Sequence, residues 1–157
     1  MDVSPFDPEE LDPFDRKIIQ ILRADGRLSV TELAKRVGLS KTPCQVRLKR
    51  LTDRGIIRGF RAVIDPARLG QGHVAFTEVK LSDTREAALE EFRQGVLAIP
   101  EVEECHMIAS HFDYLLKVRT ADMRSYRAVL GERISTLPNV SSTSTFVVME
   151  TIRDAGG

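Results

Sequence analysis

Cationic and amide side chains recur at close spacing between residues 40 and 54 of this 157-residue chain. Guanidinium and ammonium groups pair with phosphate oxygens, and Arg can also bridge O6 and N7 of guanine as Gln can bridge N6 and N7 of adenine. These residue types suit contact with a nucleic-acid duplex. The predicted contact residues are Ser40, Lys41, Thr42, Gln45, Arg47, Lys49, Arg50 and Arg54.

Two short helices joined by a glycine are predicted to position this cationic segment. Ser29 can cap the first helix, and Gly38 can supply the left-handed conformation that ends it. Ser40 can then cap the second helix, whose narrow apolar stripe is formed by Cys44, Leu48 and Leu51. A helix-turn-helix uses this division, because one face packs inside a small bundle while the other enters the major groove.

The net charge of zero hides an uneven distribution. Residues 16–70 hold fourteen Lys and Arg against four acids, a net of +10, whereas residues 71–157 hold nine against thirteen, a net of −4. The first fifteen residues are acidic, and we expect them to form a loose leader. Phosphate attraction depends on where the cations lie, so a neutral total does not argue against nucleic acid. The alternative for the basic segment is an ordinary solvated face.

Composition places the chain among globular proteins outside the membrane. Hydrophobic residues make up 42% and charged residues 29%, and no apolar run approaches the roughly 18 residues that a membrane span needs. The acidic, proline-broken N-terminus is unlike a secretory signal, so we expect a cytoplasmic protein without a membrane partner. Cys44 and Cys105 belong to different segments and are predicted to be buried apolar side chains rather than a disulfide.

A helix-turn-helix domain, winged-helix-like in form, is predicted over residues 11–64. Its first helix begins at Asp12 or Asp15 and ends near residues 25–26. Residues 57–64 are rich in β-formers and predict a short strand beside the helices. Residues 65–72 contain two glycines and predict a short linker.

The remaining residues, 73–153, predict a ferredoxin-like domain, which makes the chain an α+β protein. Strands are expected at residues 73–81, 102–108, 114–119 and 143–152. Helices are expected at residues 84–97 and 122–134, which gives the order βαββαβ with both helices on one sheet face. The apolar content suggests that a second copy covers the other face, so we expect a homodimer.

The sequence resembles the Lrp/AsnC family of feast/famine transcriptional regulators, most closely the leucine-responsive branch. The stretches that carry the resemblance are DRKIIQILRADGRLS, ELAKRVGLSKTPCQVRLKRL, GIIRGFRAVIDP, VEECHMIASHFDYLLKVRTADMRSYR and TLPNVSSTSTFVVMET. It implies a sequence-specific DNA-binding regulator that responds to a small effector, usually an amino acid such as leucine or a catabolised one such as proline. It also implies sheet-to-sheet dimers that assemble further, commonly into octamers, with effectors bound between dimers.

Matching positions imply an effector site at Met107, Ser110, His111, Asp113, Met123, Phe146, Val147 and Val148. The carboxylate of Asp113 can pair with an amino acid's ammonium group, or it can cap the turn between two strands. The methionines and Phe146 can line an apolar pocket or belong to the core. This chain has Ser110 and His111 where the family usually has glycine, which limits positive φ at the turn.

Two other classes of function were weighed against a regulator. An enzyme is not expected, because the chain lacks a nucleophile elbow and a phosphate loop. His106 and His111 alone are a weak metal signal, so neither a metal nor a cofactor is predicted. Tetrapyrrole decarboxylases nevertheless resemble the same two-module architecture. The other alternative is an architectural nucleoid protein that binds DNA without an effector.

Overall fold

The computed structural model describes residues 11–153, so most of the predicted acidic leader, residues 1–10, lies outside them. The chain divides into two compact units, residues 1–62 and 63–157, which are taken in turn. Within residues 11–153, no helix has both the length and the apolar character needed to cross a bilayer.

Three helices form the N-terminal unit, as the sequence predicts: α1 (Pro13–Ala24), α2 (Val30–Val37) and α3 (Lys41–Asp53). Asp12 and Asp15 form a capping box at the start of α1. The hydroxyl of Ser29 accepts a hydrogen bond from the backbone N–H of Glu32, which caps α2. Gly38 ends α2 at φ 88°, a left-handed conformation that glycine adopts without a steric penalty.

The core of this unit lies where the three helices meet. Each helix contributes its apolar stripe, and the fully buried side chains include Ile18, Leu33, Val37, Cys44 and Leu51. Cys44 is buried as predicted, and its burial raises the pKa of the thiol. The same prediction is wrong for Cys105, which is exposed on a sheet strand. Ser40 occupies the N-cap position of α3, although its side chain makes no capping hydrogen bond.

The prediction of a strand at residues 57–64 is wrong, because the backbone there is irregular. The backbone N–H groups of Ile56 and Ile57 both donate to the carbonyl of Leu51, at 3.0 and 3.1 Å. These bonds fold the two isoleucines back onto the helical core. A strand also needs a hydrogen-bonded neighbour, and the described residues of this unit contain none.

The C-terminal unit begins with a short 3₁₀ turn at Pro66–Leu69, and a four-stranded antiparallel sheet with two helices follows it. Its elements are β1 (His73–Leu81), α4 (Glu86–Leu97), β2 (Val102–Met107), β3 (Tyr114–Thr120), α5 (Met123–Val129) and β4 (Val140–Val147). The strand order is β2-β3-β1-β4. This order and connectivity confirm the predicted ferredoxin-like βαββαβ fold.

Two elements differ from the prediction by more than two residues. The last strand covers residues 140–147 rather than 143–152, because Val140 already pairs with Leu81 of β1. Asn139 makes this early start possible: it adopts φ 64°, and its carbonyl accepts a hydrogen bond from the N–H of Ser82 at 2.8 Å. The helix predicted at residues 122–134 is α-helical only to Val129 and continues as a π-helical turn, Leu130–Ile134.

The two faces of the sheet differ in character. One face packs against α4 and α5, where Ala75, Val79 and Leu116 meet Phe92 and Tyr126. The hydroxyl of Tyr126 also bonds the hydroxyls of two threonines from β1 and β4.

The opposite face, called here the open face, mixes apolar and charged side chains. Register places Phe76 opposite Phe146 and Lys117 opposite both Phe76 and Glu104. Leu115 lies on the same face, two residues before Lys117 on β3. Both helices of the described C-terminal unit lie on the other side.

Candidate DNA interface and effector site

The side of α3 that faces away from the helical core carries four of the eight predicted DNA contacts. Lys41, Thr42, Gln45 and Lys49 are all exposed, and the side chain of Lys49 is 75% accessible. Its ammonium nitrogen lies 2.5 Å from a carboxylate oxygen of Asp53, one helical turn away. Because an exposed pair of this kind contributes little, Lys49 can exchange Asp53 for a phosphate at small cost.

Arg47 and Arg50 differ from the other predicted contacts, because both turn towards α1. The carboxylate of Asp15 is 0% exposed and accepts hydrogen bonds from both guanidinium groups. The distances are 3.0 Å from Nη1 of Arg47 and 2.6 Å from Nη2 of Arg50. Arg47 also donates to Asp12, and its guanidinium carbon lies 5.4 Å from the ring centre of Phe14. We call Asp12, Asp15, Arg47 and Arg50 the arginine clamp.

The electrostatics of the arginine clamp favour the charged forms of Asp12 and Arg47. The backbone N–H of Asp15 and the guanidinium of Arg47 hold the pKa of Asp12 below its ordinary value. Hydrogen bonds from Arg47 to Asp12 and Asp15 raise the pKa of that guanidinium. A second link ties the helices together, since the ammonium of Lys17 donates to the carbonyl of Val37 at 3.1 Å. The arginine clamp therefore joins α3 to α1, and the bond of Lys17 joins α1 to the last residue of α2.

The remaining predicted contacts lie at the two ends of α3. Ser40 precedes the helix, and its hydroxyl is free of a capping role. The first backbone N–H groups of a helix point outwards and favour an anion. Arg54 is exposed at the C-terminal end, where its N–H donates to the carbonyl of Arg50. The N-terminal end of α3 is thus suited to a phosphate.

In the C-terminal unit, Asp113 is bonded to its surroundings at three points. Its N–H donates to the carbonyl of Val79 at 3.0 Å, and its carbonyl accepts from the N–H of Ile108 at 2.8 Å. Its carboxylate oxygen Oδ2 accepts from the N–H of Leu81 at 2.7 Å. Asp113 therefore has the structural role at the turn that was considered beside its predicted role in binding.

The neighbouring turn residues lie beside charged groups of β1. The imidazole Nε2 of His111 is 3.6 Å from a carboxylate oxygen of Glu78, and its backbone carbonyl accepts from Lys80 at 3.1 Å. The hydroxyl of Ser110 is 3.1 Å from Nδ1 of the same imidazole. The turn thus combines a carboxylate, an ammonium and an imidazole, which suits a small zwitterion.

The predicted apolar lining of the effector site does not converge within one protomer. Met107 lies on β2 and Phe146 on β4, and these strands form opposite edges of the sheet. Three strand spacings of about 4.8 Å separate them. Met107, Phe146 and Met123, at the start of α5, are each about half exposed, at 58, 53 and 45%. Val147 follows Phe146, and Val148 bonds the carbonyl of Val74 through its N–H.

Sequence reasoning missed the partners that orient these residues. The sequence assigns Asp12 and Asp15 to a cap and to a loose leader, but the structure places both at the start of α1 and buries Asp15. Two acids three residues apart can face a basic neighbour, and this signal was missed. Glu78 and Lys80 were not considered, although charged residues alternating along a buried strand point to a face that meets polar groups. Within residues 11–153, no cluster of three or more His, Cys, Asp or Glu residues could hold a metal ion.

Comparison with known proteins places both units in one family. Residues 11–58 match the family model for a winged helix-turn-helix DNA-binding domain. Residues 74–157 match the model for the Lrp/AsnC ligand binding domain. The chain therefore combines a DNA-binding unit with a ligand-binding unit, which defines a transcriptional regulator that responds to an effector.

Two relatives and one solved structure illustrate the similarity. The chain is 67% identical over 148 residues to the proline dehydrogenase transcriptional activator of Rhizobium radiobacter, covering 94% of this chain and 95% of the relative. It is 43% identical over 147 residues to the leucine-responsive regulatory protein of Escherichia coli K12, covering 94% and 90%. A transcriptional regulator from Neisseria meningitidis in complex with L-Met has 34% identity and a TM-score of 0.86, covering 92% and 93%. The chain belongs to the Lrp/AsnC family.

Proposed function

We propose that this regulator acts in the cytoplasm on a proline dehydrogenase gene and responds to an amino acid, with proline as the first candidate. The observation that carries the target gene is the 67% identity to the Rhizobium radiobacter activator over nearly the whole chain. The regulator solved with L-Met supports an amino acid as the class of effector. No catalytic role is proposed, since the named relatives regulate transcription.

The proposed DNA interface is the exposed side of α3 together with its N-terminal end. Gln45 lies in the groove-facing part of the helix, where its amide can bridge N6 and N7 of an adenine. Lys41, Lys49 and Arg54 neutralise phosphates, and Ser40 and Thr42 donate to the backbone near the start of the helix. The contact of Gln45 with a base edge selects sequence, whereas the contacts with phosphates fix the register and raise the affinity.

The proposed effector site lies at the turn around Asp113. Its carboxylate pairs with the ligand's ammonium, Ser110 and Lys80 bind the carboxylate end, and His111 contacts the ligand from the turn. Met107, Met123 and residues 146–148 contribute apolar surface. Because Met107 and Phe146 lie on opposite sheet edges, they can line one pocket only if different copies of the chain supply them.

A homo-oligomer is therefore part of the proposal, with a dimer through the open face and further assembly to an octamer. The apolar side chains of Phe76, Leu115 and Phe146 support burial of this face against a second copy. Sedimentation equilibrium of the full chain measures the assembly. An octamer in exchange with dimers is expected, whereas a monomer at all concentrations contradicts the shared effector site.

The regulatory function is tested by fluorescence anisotropy with a labelled duplex from upstream of a proline dehydrogenase gene. A scrambled duplex of equal length is the control, and each titration is repeated with proline, leucine and methionine. Preferential binding to the upstream duplex, changed by proline, is the expected result. A thermal-shift assay with the same amino acids measures the melting temperature of the protein. If both duplexes bind with equal affinity and no amino acid raises that temperature, the results support an architectural DNA-binding protein instead. Turnover of a haem precursor supports the decarboxylase alternative.

A further inference from the structure

The arginine clamp directs two cations of α3 towards α1 and away from the exposed side of the helix. Arg47 is 25% exposed and Arg50 45%, and both bond to a carboxylate that is itself 0% exposed. Lys49, between them in sequence, is 75% exposed. The helix therefore presents some of its cations outwards and turns others back towards α1.

Helical geometry explains this division. Residues three apart lie on nearly the same side of a helix, so Arg47 and Arg50 point in similar directions. That direction borders the buried stripe of Cys44 and Leu51. A carboxylate buried on α1 at this border is stable only while cations pair with it. The pairing in turn fixes the orientation of α3 about its own axis.

We propose that Asp15 is a positioning residue for DNA recognition, and that Arg47 and Arg50 orient α3 through it rather than neutralising phosphates. The inference rests on the proposed function, in which α3 enters the groove. It revises the sequence-based assignment of Arg47 and Arg50 as direct contacts. It also predicts that α3 makes two fewer phosphate contacts than its number of cationic side chains suggests, because Arg47 and Arg50 make none.

The dependence of affinity on salt separates the two roles. Each phosphate contact that is lost lowers the slope of log affinity against log salt concentration by about 0.9. The slope is measured by anisotropy, with the full chain and the duplex from upstream of a proline dehydrogenase gene, for Arg47→Gln and the matched control Lys49→Gln. Lys49→Gln is expected to lower the slope by about 0.9. Arg47→Gln is expected to lower affinity about tenfold at every salt concentration, with the slope unchanged.

A double variant tests whether the clamp acts as a unit. Asp15→Asn is expected to lower affinity about tenfold, and Asp15→Asn with Arg47→Gln no further, because both changes break the same network. Losses that multiply to about a hundredfold overturn the inference, as does a slope for Arg47→Gln that falls by about 0.9.

Circular dichroism reports whether each variant remains folded. If Asp15→Asn or Arg47→Gln lowers the folded fraction, Arg50→Gln repeats the slope measurement, since it leaves the contact between Arg47 and Asp12 in place. An unchanged slope supports the inference, and a fall of about 0.9 overturns it. If the unmodified chain shows no salt-dependent complex with the duplex, the proposed function itself fails. A salt-dependent complex with additive losses refutes only the role of Asp15.

Discussion

Asp113 has two roles that a pair of substitutions can separate, one in the fold and one in the proposed effector site. Its Oδ2 accepts a 2.7 Å hydrogen bond from the N–H of Leu81, a residue that is 5% exposed. Asp113→Asn keeps an acceptor oxygen of the same shape but removes the negative charge. Asp113→Ala removes both, and it leaves the N–H of Leu81 without its partner.

The expected magnitudes differ for the two variants. A hydrogen bond to a charged group contributes about 1.5–3 kcal/mol and a neutral one about 0.5–1.5 kcal/mol, so Asp113→Asn costs about 1 kcal/mol of stability. Asp113→Ala strands a buried donor, which costs about 1–3 kcal/mol. For an amino acid ligand, losing the ammonium–carboxylate pair costs about 1.5–3 kcal/mol, a fall in affinity of roughly 10- to 150-fold.

Calorimetric titration with proline, leucine and methionine measures affinity, and thermal melting measures stability. Asp113→Asn should melt close to the unmodified chain and lose its response to the ligand, whereas Asp113→Ala should lose both. Asp83→Asn is the matched control, because it removes another acid of the same unit, one that Arg85 holds at a pKa of about 2. Affinity retained in Asp113→Asn refutes the ammonium pairing and leaves Asp113 a purely structural role.

Three further perturbations test the fold. Tyr126→Phe leaves the buried hydroxyl of Thr77 without its 2.9 Å partner and should lower the free energy of unfolding, measured by chemical denaturation, by about 1–3 kcal/mol. Adding Thr77→Val should restore part of that stability, because the unpaired hydroxyl is then removed. Gly38→Ala places a side chain at φ 88° and should lower stability by about 1–2 kcal/mol, whereas Gly131→Ala, with open space around it, should not. The pKa of Asp12 lies below its ordinary value of 3.8, so its stabilising contribution is complete above pH 4 and lost as pH falls through the folded pKa; melting temperatures of Asp12→Asn and the unmodified chain should therefore converge in acid. Equal differences at pH 7 and pH 3 contradict this assignment.

Local signals in the sequence were sufficient for most of the elements. The cap at Ser29 and the left-handed Gly38 lie within one helix length of the residues that they delimit, so α2 could be predicted closely. The start of β4 could not, because it depends on pairing between Val140 and Leu81, which are distant in sequence. The strand expected at residues 57–64 failed for the related reason that β-forming residues need a neighbouring strand.

The residue types of the candidate site could be predicted from the sequence, but the directions in which their side chains point could not. The helical repeat shows that Lys49 is exposed. It does not show that Arg47 points towards α1, because that depends on the position of Asp15 on another helix. The family resemblance supplies the proposed effector residues one by one. Their separation across the sheet, with Met107 at one edge and Phe146 at the other, becomes visible only once strand order is known.

The three bonds of Asp113 make it a junction between β1 and the end of β2, the two strands that flank β3. Through Val79 and Leu81 it holds the end of β1, and through Ile108 it holds the residue that follows β2. A molecule that displaced this one residue would strain both attachments together, because neither strand end could relax without moving the other. Occupancy of this small turn would thereby change the alignment of β1 and β2 within one sheet.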